Sequence, residues 1–163
     1  MNLAYELAPI SWLVGTWRGV GTLSYPNLAG RTIESVVVIK HDDGPYLSYT
    51  GTLIDRGGVW GTESGYFRVP PRVTFDVPDG AHPVELLLSD PAGYVCVYVG
   101  IVHEQRLQLA TDLVARTDSG AEVTAGRRMY AQVGADLFWA WDLAAFGQPL
   151  QSYVAAQLTK DEE

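Results

Sequence analysis

Turn-forming residues recur along this chain roughly every 8 to 12 residues, a rhythm that leaves room for short strands but not for long helices. Pro26-Asn27, Asp42-Asp43-Gly44, Gly57-Gly58, Pro91-Ala92-Gly93, Asp118-Ser119-Gly120 and Gly134 supply the punctuation. Each contains residues that take tight or left-handed backbone at low cost. Between them lie runs rich in Val, Tyr, Trp and Thr, which suit a half-buried pleated surface. The spacing predicts strands over Trp17 to Tyr25, Thr32 to Lys40, Tyr46 to Ile54, Trp60 to Val69, Val84 to Ser89, Tyr94 to Val102, Arg106 to Val114, Glu122 to Gln132 and Leu137 to Ala144. Leu150 to Leu158 reads either as a tenth strand or, through Ala155, Ala156, Gln157 and Leu158, as a helix. Val73 to Val77 is a candidate short edge strand, and Pro9 to Leu13 a short helical turn.

No long amphipathic helix is visible, which argues against βαβ units and nucleotide folds. An open sheet of so many antiparallel strands would expose two edges that invite aggregation. The expected architecture is therefore all-β, a ten-stranded antiparallel up-and-down barrel formed by a single domain over residues 1–163. Barrels of this size can enclose one small ligand. The formal net charge of −8 gives no basic footprint for nucleic acid or anionic lipid. The one cysteine, Cys96, permits neither an internal disulfide nor a Cys-rich zinc site, and a cytoplasmic location is expected. No segment reads as a leader, and no apolar run reaches the ~20 residues of a spanning helix.

Gly15-Thr16-Trp17-Arg18-Gly19-Val20-Gly21, followed by Tyr25-Pro26, resembles the opening signature of the nitrobindin family. Gly15, Trp17, Gly19 and Gly21 carry the motif: Trp17 can plug one end of a lipocalin-like barrel, and the two later glycines let the strand bend. Tyr46 to Thr50, Glu63 to Arg68, Val84 to Leu88 and Gly147 to Gln151 also resemble family segments. The resemblance implies a fatty-acid-binding-protein-like barrel with ferric heme b in a wide cleft, associated with nitric oxide binding and peroxynitrite isomerisation. It also implies a proximal histidine in the last strand. Counted from the Gly-Gln-Pro-Leu-Gln segment, that position holds Tyr153.

The substitution changes the expected chemistry. A neutral imidazole binds iron near neutral pH, whereas a phenol must first lose a proton with an ordinary pKa of about 10. His41, His82 and His103 are expected on turns and therefore outside the cleft. Trp139, Trp141 and Leu143 share one face of a strand and are placed inward, with Trp139, Trp141, Thr50 and Arg128 as candidate cavity-lining residues. Glu63 and Arg68 are a candidate structural ion pair, and Arg128 is expected to stack on Trp17. The alternation of Tyr94, Cys96 and Tyr98 with Val95, Val97 and Val99 leaves both faces apolar. Tyrosines on the outer face, with Phe138, would supply a homodimer contact. Cys96 on an apolar strand is expected to be inert, no metal-ligand spacing occurs, and Gly-x-Ser-x-Gly is absent.

Three functions follow, of which the first is preferred. The first is a nitrobindin-like barrel without family-type heme, holding a small hydrophobic, fatty-acid-like ligand and no resident cofactor. The second is a ferric heme protein with Tyr153 as axial ligand, the only case in which peroxynitrite isomerase activity would be expected. The third is a barrel with a filled interior acting as an interaction module.

Overall fold

A computed structural model describes residues 4–162. Ten strands pair antiparallel in sequence order, and β1 (Gly15–Tyr25) meets β10 (Gln151–Lys160) to close the barrel. Between them run β2 (Leu28–His41), β3 (Leu47–Asp55), β4 (Gly58–Arg68), β5 (Ala81–Asp90), β6 (Tyr94–His103), β7 (Arg106–Arg116), β8 (Val123–Val133) and β9 (Asp136–Ala145). The segment whose state the sequence left open is a strand: Val154, Ala156 and Leu158 are buried while Ala155, Gln157 and Thr159 face out. A period of two buries every second residue, and the closing ladder to β1 outweighs the helix preference of Ala and Gln.

The N-terminal turn is longer than expected. It is a 3-10 helix over Tyr5–Leu13, burying Leu7, Ile10 and Leu13. Their spacing of three matches the three residues per turn of this helix, so one edge carries these three side chains into the barrel end. Trp17 is buried beside it and donates from Nε1 to the Leu13 carbonyl at 2.9 Å. Gly19 and Gly21 do more than permit a bend: a Cβ on either would lie 2.0 or 2.1 Å from a β10 carbonyl oxygen, so these glycines let β1 and β10 approach closely.

Two expectations fail beside this frame. Val73 to Val77 is not a strand, because Pro70, Pro71 and Pro78 remove donors that a ladder would need around it. His82 lies within β5 instead of in the preceding loop.

The open end is less regular. The turns β1–β2, β3–β4, β5–β6, β7–β8 and β9–β10 gather there. Ladder registers shift between Leu23 and Tyr25, Leu53 and Ile54, Val97 and Tyr98, Val123 and Ala125, and Ser152 and Val154. Two seams also stop short. β4 pairs with β5 only from Ser64 to Arg68, and β7 pairs with β8 only from Arg106 to Ala110. The strands consequently splay towards this end, leaving a cleft.

Candidate functional site

The cleft has a volume of about 540 Å³, within the range of roughly 300 to 1,000 Å³ usual for small-molecule sites. Tyr25, Trp60, Tyr94, Trp141 and Tyr153 supply aromatic walls; Leu53, Val123 and Leu143 add aliphatic surface. Among the described residues, its acidic lining is Glu63 and Asp90, and neither lysine nor arginine lines it.

Bulges place two of these side chains. Tyr153 is the extra residue where the β10–β9 register shifts, so it and the next residue, Val154, both turn from solvent. Trp60 is the extra residue of the β4–β3 ladder. An extra residue re-aims its side chain against the period of two. The two bulges face each other across the mouth, where Trp60 Nε1 donates to the Tyr153 hydroxyl at 2.8 Å. Tyr153 also meets Trp141 and Tyr25 edge-on, at centroid distances of 4.9 and 5.7 Å.

Below the cleft the barrel is filled. Arg128 and Glu63 are 3% and 7% exposed and form a two-pronged ion pair, Nη1 to Oε2 at 2.5 Å and Nη2 to Oε1 at 3.0 Å. Arg128 Nε and Nη1 donate to Tyr98 and Tyr130 hydroxyls, each at 3.2 Å, and Tyr130 is hydrogen-bonded to Tyr49 at 3.0 Å. Burial alone would lower the arginine pKa, but Glu63 and the surrounding tyrosines raise it well above its ordinary value. The guanidinium lies 4.1 Å from the Trp141 ring centroid. This layer satisfies a buried charge through a carboxylate, two hydroxyls and an aromatic face. It fills the lower interior, as the interaction-module reading required, but the cleft above it remains open.

The structure redistributes the expected site residues. Trp141 lines the cleft; Trp139 lies deeper, stacked on Tyr130 at 5.9 Å and donating to Ser35 Oγ at 3.0 Å. Thr50 is exposed on the outer wall, because its neighbours Tyr49 and Gly51 take the interior positions. Arg128 does not reach Trp17. It is level with Trp141 across the β8–β9 ladder, while Lys160, paired with Trp17 in register, sits 5.5 Å from the Trp17 ring. Glu63 and Arg68 do not pair either: five residues apart on one strand they face opposite sides, and Arg68 bonds its cross-strand partner Glu85 at 2.6 Å.

Tyr94, Cys96 and Tyr98 are buried inside, and Val95, Val97 and Val99 form the outer face. A subunit contact on this strand would therefore be made by valines, not tyrosines. Burial pushes the Cys96 thiol up to about 11, which leaves it a protonated, poor nucleophile at neutral pH.

The three histidines lie at the end opposite the cleft. His41 closes β2, His82 stands near the start of β5, and His103 ends β6. Possible iron donors among the cleft residues are therefore the phenols of Tyr25, Tyr94 and Tyr153. Tyr25 is engaged twice, donating to the Leu143 carbonyl at 2.8 Å and accepting from Ala145 N–H at 3.1 Å. Burial, reinforced by Asp90, pushes Tyr94 far above the ordinary phenol value. Burial also raises Tyr153; the Trp60 hydrogen bond acts the other way, and the Asp90 and Glu63 charges add to the rise. Trp141 Nε1 is buried without an acceptor.

Residues 6–160 match the THAP4-like, heme-binding beta-barrel domain. The chain belongs to this family. A ferric nitrobindin-like protein of Beutenbergia cavernae is 42% identical, with 98% of this chain and 96% of that protein covered. A peroxynitrite isomerase of Nocardioides sp. is 36% identical over 98% of this chain and 95% of that protein. The crystal structure of Rv2717c from M. tuberculosis superposes with a TM-score of 0.83 at 31% identity, covering 99% of this chain and all of that one. The nitrobindin resemblance of the Gly15 to Gly21 motif and the ten-stranded barrel both hold.

Sequence reasoning missed Trp60, Tyr25, Tyr94 and Asp90 as cleft residues, and it missed Glu63 as the partner of Arg128. The inward face of β3 and β4 could have revealed Glu63, since alternation from Phe67 places Gly65 and Glu63 on the same side. Trp60 carried no comparable signal, because its bulge reverses the count.

Proposed function

We propose that the cleft holds a small, predominantly apolar ligand, and that heme is not its resident cofactor. The observation carrying this reading is the state of Tyr153. Its burial opposes ionisation, the nearby carboxylates oppose it further, and together they outweigh the Trp60 N–H that its oxygen accepts. The donors available in the cleft do not fit a heme held through iron. Heme carboxylates would also meet Asp90, unpaired among the described residues, without a lysine or arginine in the lining. Within the heme-binding barrel family, this chain keeps the container and departs in the chemistry of its mouth.

The apolar walls and a volume suited to one small molecule support ligand binding. The single thiol, buried and protonated, supports a reducing cytoplasmic setting. Among the described residues no helix is long and apolar enough to cross a membrane. The test is hemin titration of the purified protein, followed by visible absorption. The proposal predicts no stoichiometric Soret complex. A stoichiometric complex that Tyr153→Phe abolishes would establish tyrosine-ligated heme and overturn it.

A further inference from the structure

We propose that the ligand is an organic cation, an ammonium or quaternary ammonium group on an apolar body. This rests on the reading of the cleft as a small-molecule site and adds the sign of the ligand's charge. Three observations converge on it. Tyr25, Trp60, Tyr94, Trp141 and Tyr153 surround the cavity, and electron-rich aromatic faces attract cations whose water has been removed. The raised Tyr94 and Tyr153 phenols keep those rings neutral, so the walls attract through their faces and not as phenolates.

Second, the charges near the cleft do not cancel. Arg31 is matched by Asp55 at 2.9 Å, and Arg128 by Glu63. Asp90 is half-buried at the rim; one of its oxygens accepts the Ala92 N–H at 2.8 Å, and it forms no ion pair among the described residues. The uncompensated charge of the cleft is therefore negative. A fatty-acid carboxylate or a phosphate would enter without a cationic partner and beside Asp90, at a desolvation cost that nothing in the lining offsets.

Third, both cleft indoles already bind cations. The Arg31 guanidinium lies 4.6 Å from the Trp60 centroid, and Arg128 lies 4.1 Å from that of Trp141. Each arginine is tethered to its own carboxylate and occupies one face of its ring. A ligand ammonium between the aromatic walls and Asp90 would repeat the arrangement with a mobile partner.

The experiment compares benzyltrimethylammonium, its uncharged isostere neopentylbenzene and phenylacetate, by tryptophan fluorescence and ligand-observed NMR on the full chain. The cation is expected to bind about tenfold more tightly than the isostere, and phenylacetate most weakly. Asp90→Asn keeps an oxygen for the Ala92 N–H and should remove most of that preference. Glu104→Gln, an equal charge change at the far end of the barrel, should leave it intact. Equal or tighter binding of neopentylbenzene overturns the cation inference and leaves the apolar-ligand reading standing. Equal losses in the two variants overturn it too, because bulk charge would then be the cause. Binding of none of the three probes overturns both readings.

Discussion

At the closed end of the barrel, Leu7, Ile10 and Leu13 are buried with Trp17 of β1, and the β1 ladder to β10 runs without a register break. At the open end, five ladders shift register, two seams stop early, and the side chains brought inward are Trp60 and Tyr153. The same strands serve both ends. The regular end buries what the period of two assigns to it, while the irregular end uses bulges to install residues that the period would have sent outside. On the proposed reading, stability belongs mainly to the first region and ligand binding to the second.

That division is open to direct attack. Trp17→Ala should cost about 3 to 5 kcal/mol in urea unfolding, by removing a fully buried indole and its hydrogen bond to Leu13. A loss below about 1 kcal/mol would show that the plug does not hold the barrel together.

Alkaline titration probes the layer between the ends. Burial raises Cys96 to about 11 and Tyr98 to about 12, and Tyr49 and Tyr130 also lie above the ordinary phenol value. These groups release protons earlier in the unfolded chain than in the barrel. Stability should therefore be fully present below about pH 8, where neither state has ionised, and fall as pH rises through the free thiol and phenol values towards about 11 to 12. A urea midpoint that stays constant up to about pH 11 would contradict the buried phenol network.

Trp60→Phe touches only the mouth. It removes the donor to Tyr153 and should cost about 0.5 to 1.5 kcal/mol, at the low end because the site is partly solvated, while weakening cleft ligands. Arg68→Ala on the outer wall breaks an exposed ion pair with Glu85 and should cost about 1 kcal/mol or less, without any effect on ligands. If Arg68→Ala altered cleft binding more than Trp60→Phe, the assignment of chemistry to the open end would fail.

The same contrast explains what was legible in the sequence. Turn residues and alternation disclose nine strands and leave the tenth open to a helix, and the Gly15 to Gly21 motif discloses the closed end through its family resemblance. Trp141 was placed inward by alternation, whereas Thr50, also named as a lining residue, lies on the outer wall between the inward Tyr49 and Gly51. The cleft was legible at Trp141, by alternation, and at Tyr153, where a family position supplied what alternation could not. Trp60 lies on a bulge, Asp90 is the last residue of β5 before a turn, and the Arg128–Glu63 pair joins residues 65 apart in the chain. No local pattern encodes such a juxtaposition.

The central claim is that the donor on the β10 bulge, set in a barrel otherwise built like its relatives, decides whether this protein holds heme. The most direct measurement is a parallel hemin titration of the parent and of Tyr153→His, read at the Soret band. The account predicts a stoichiometric band in the variant and none in the parent. An equally strong stoichiometric band in the parent would contradict it.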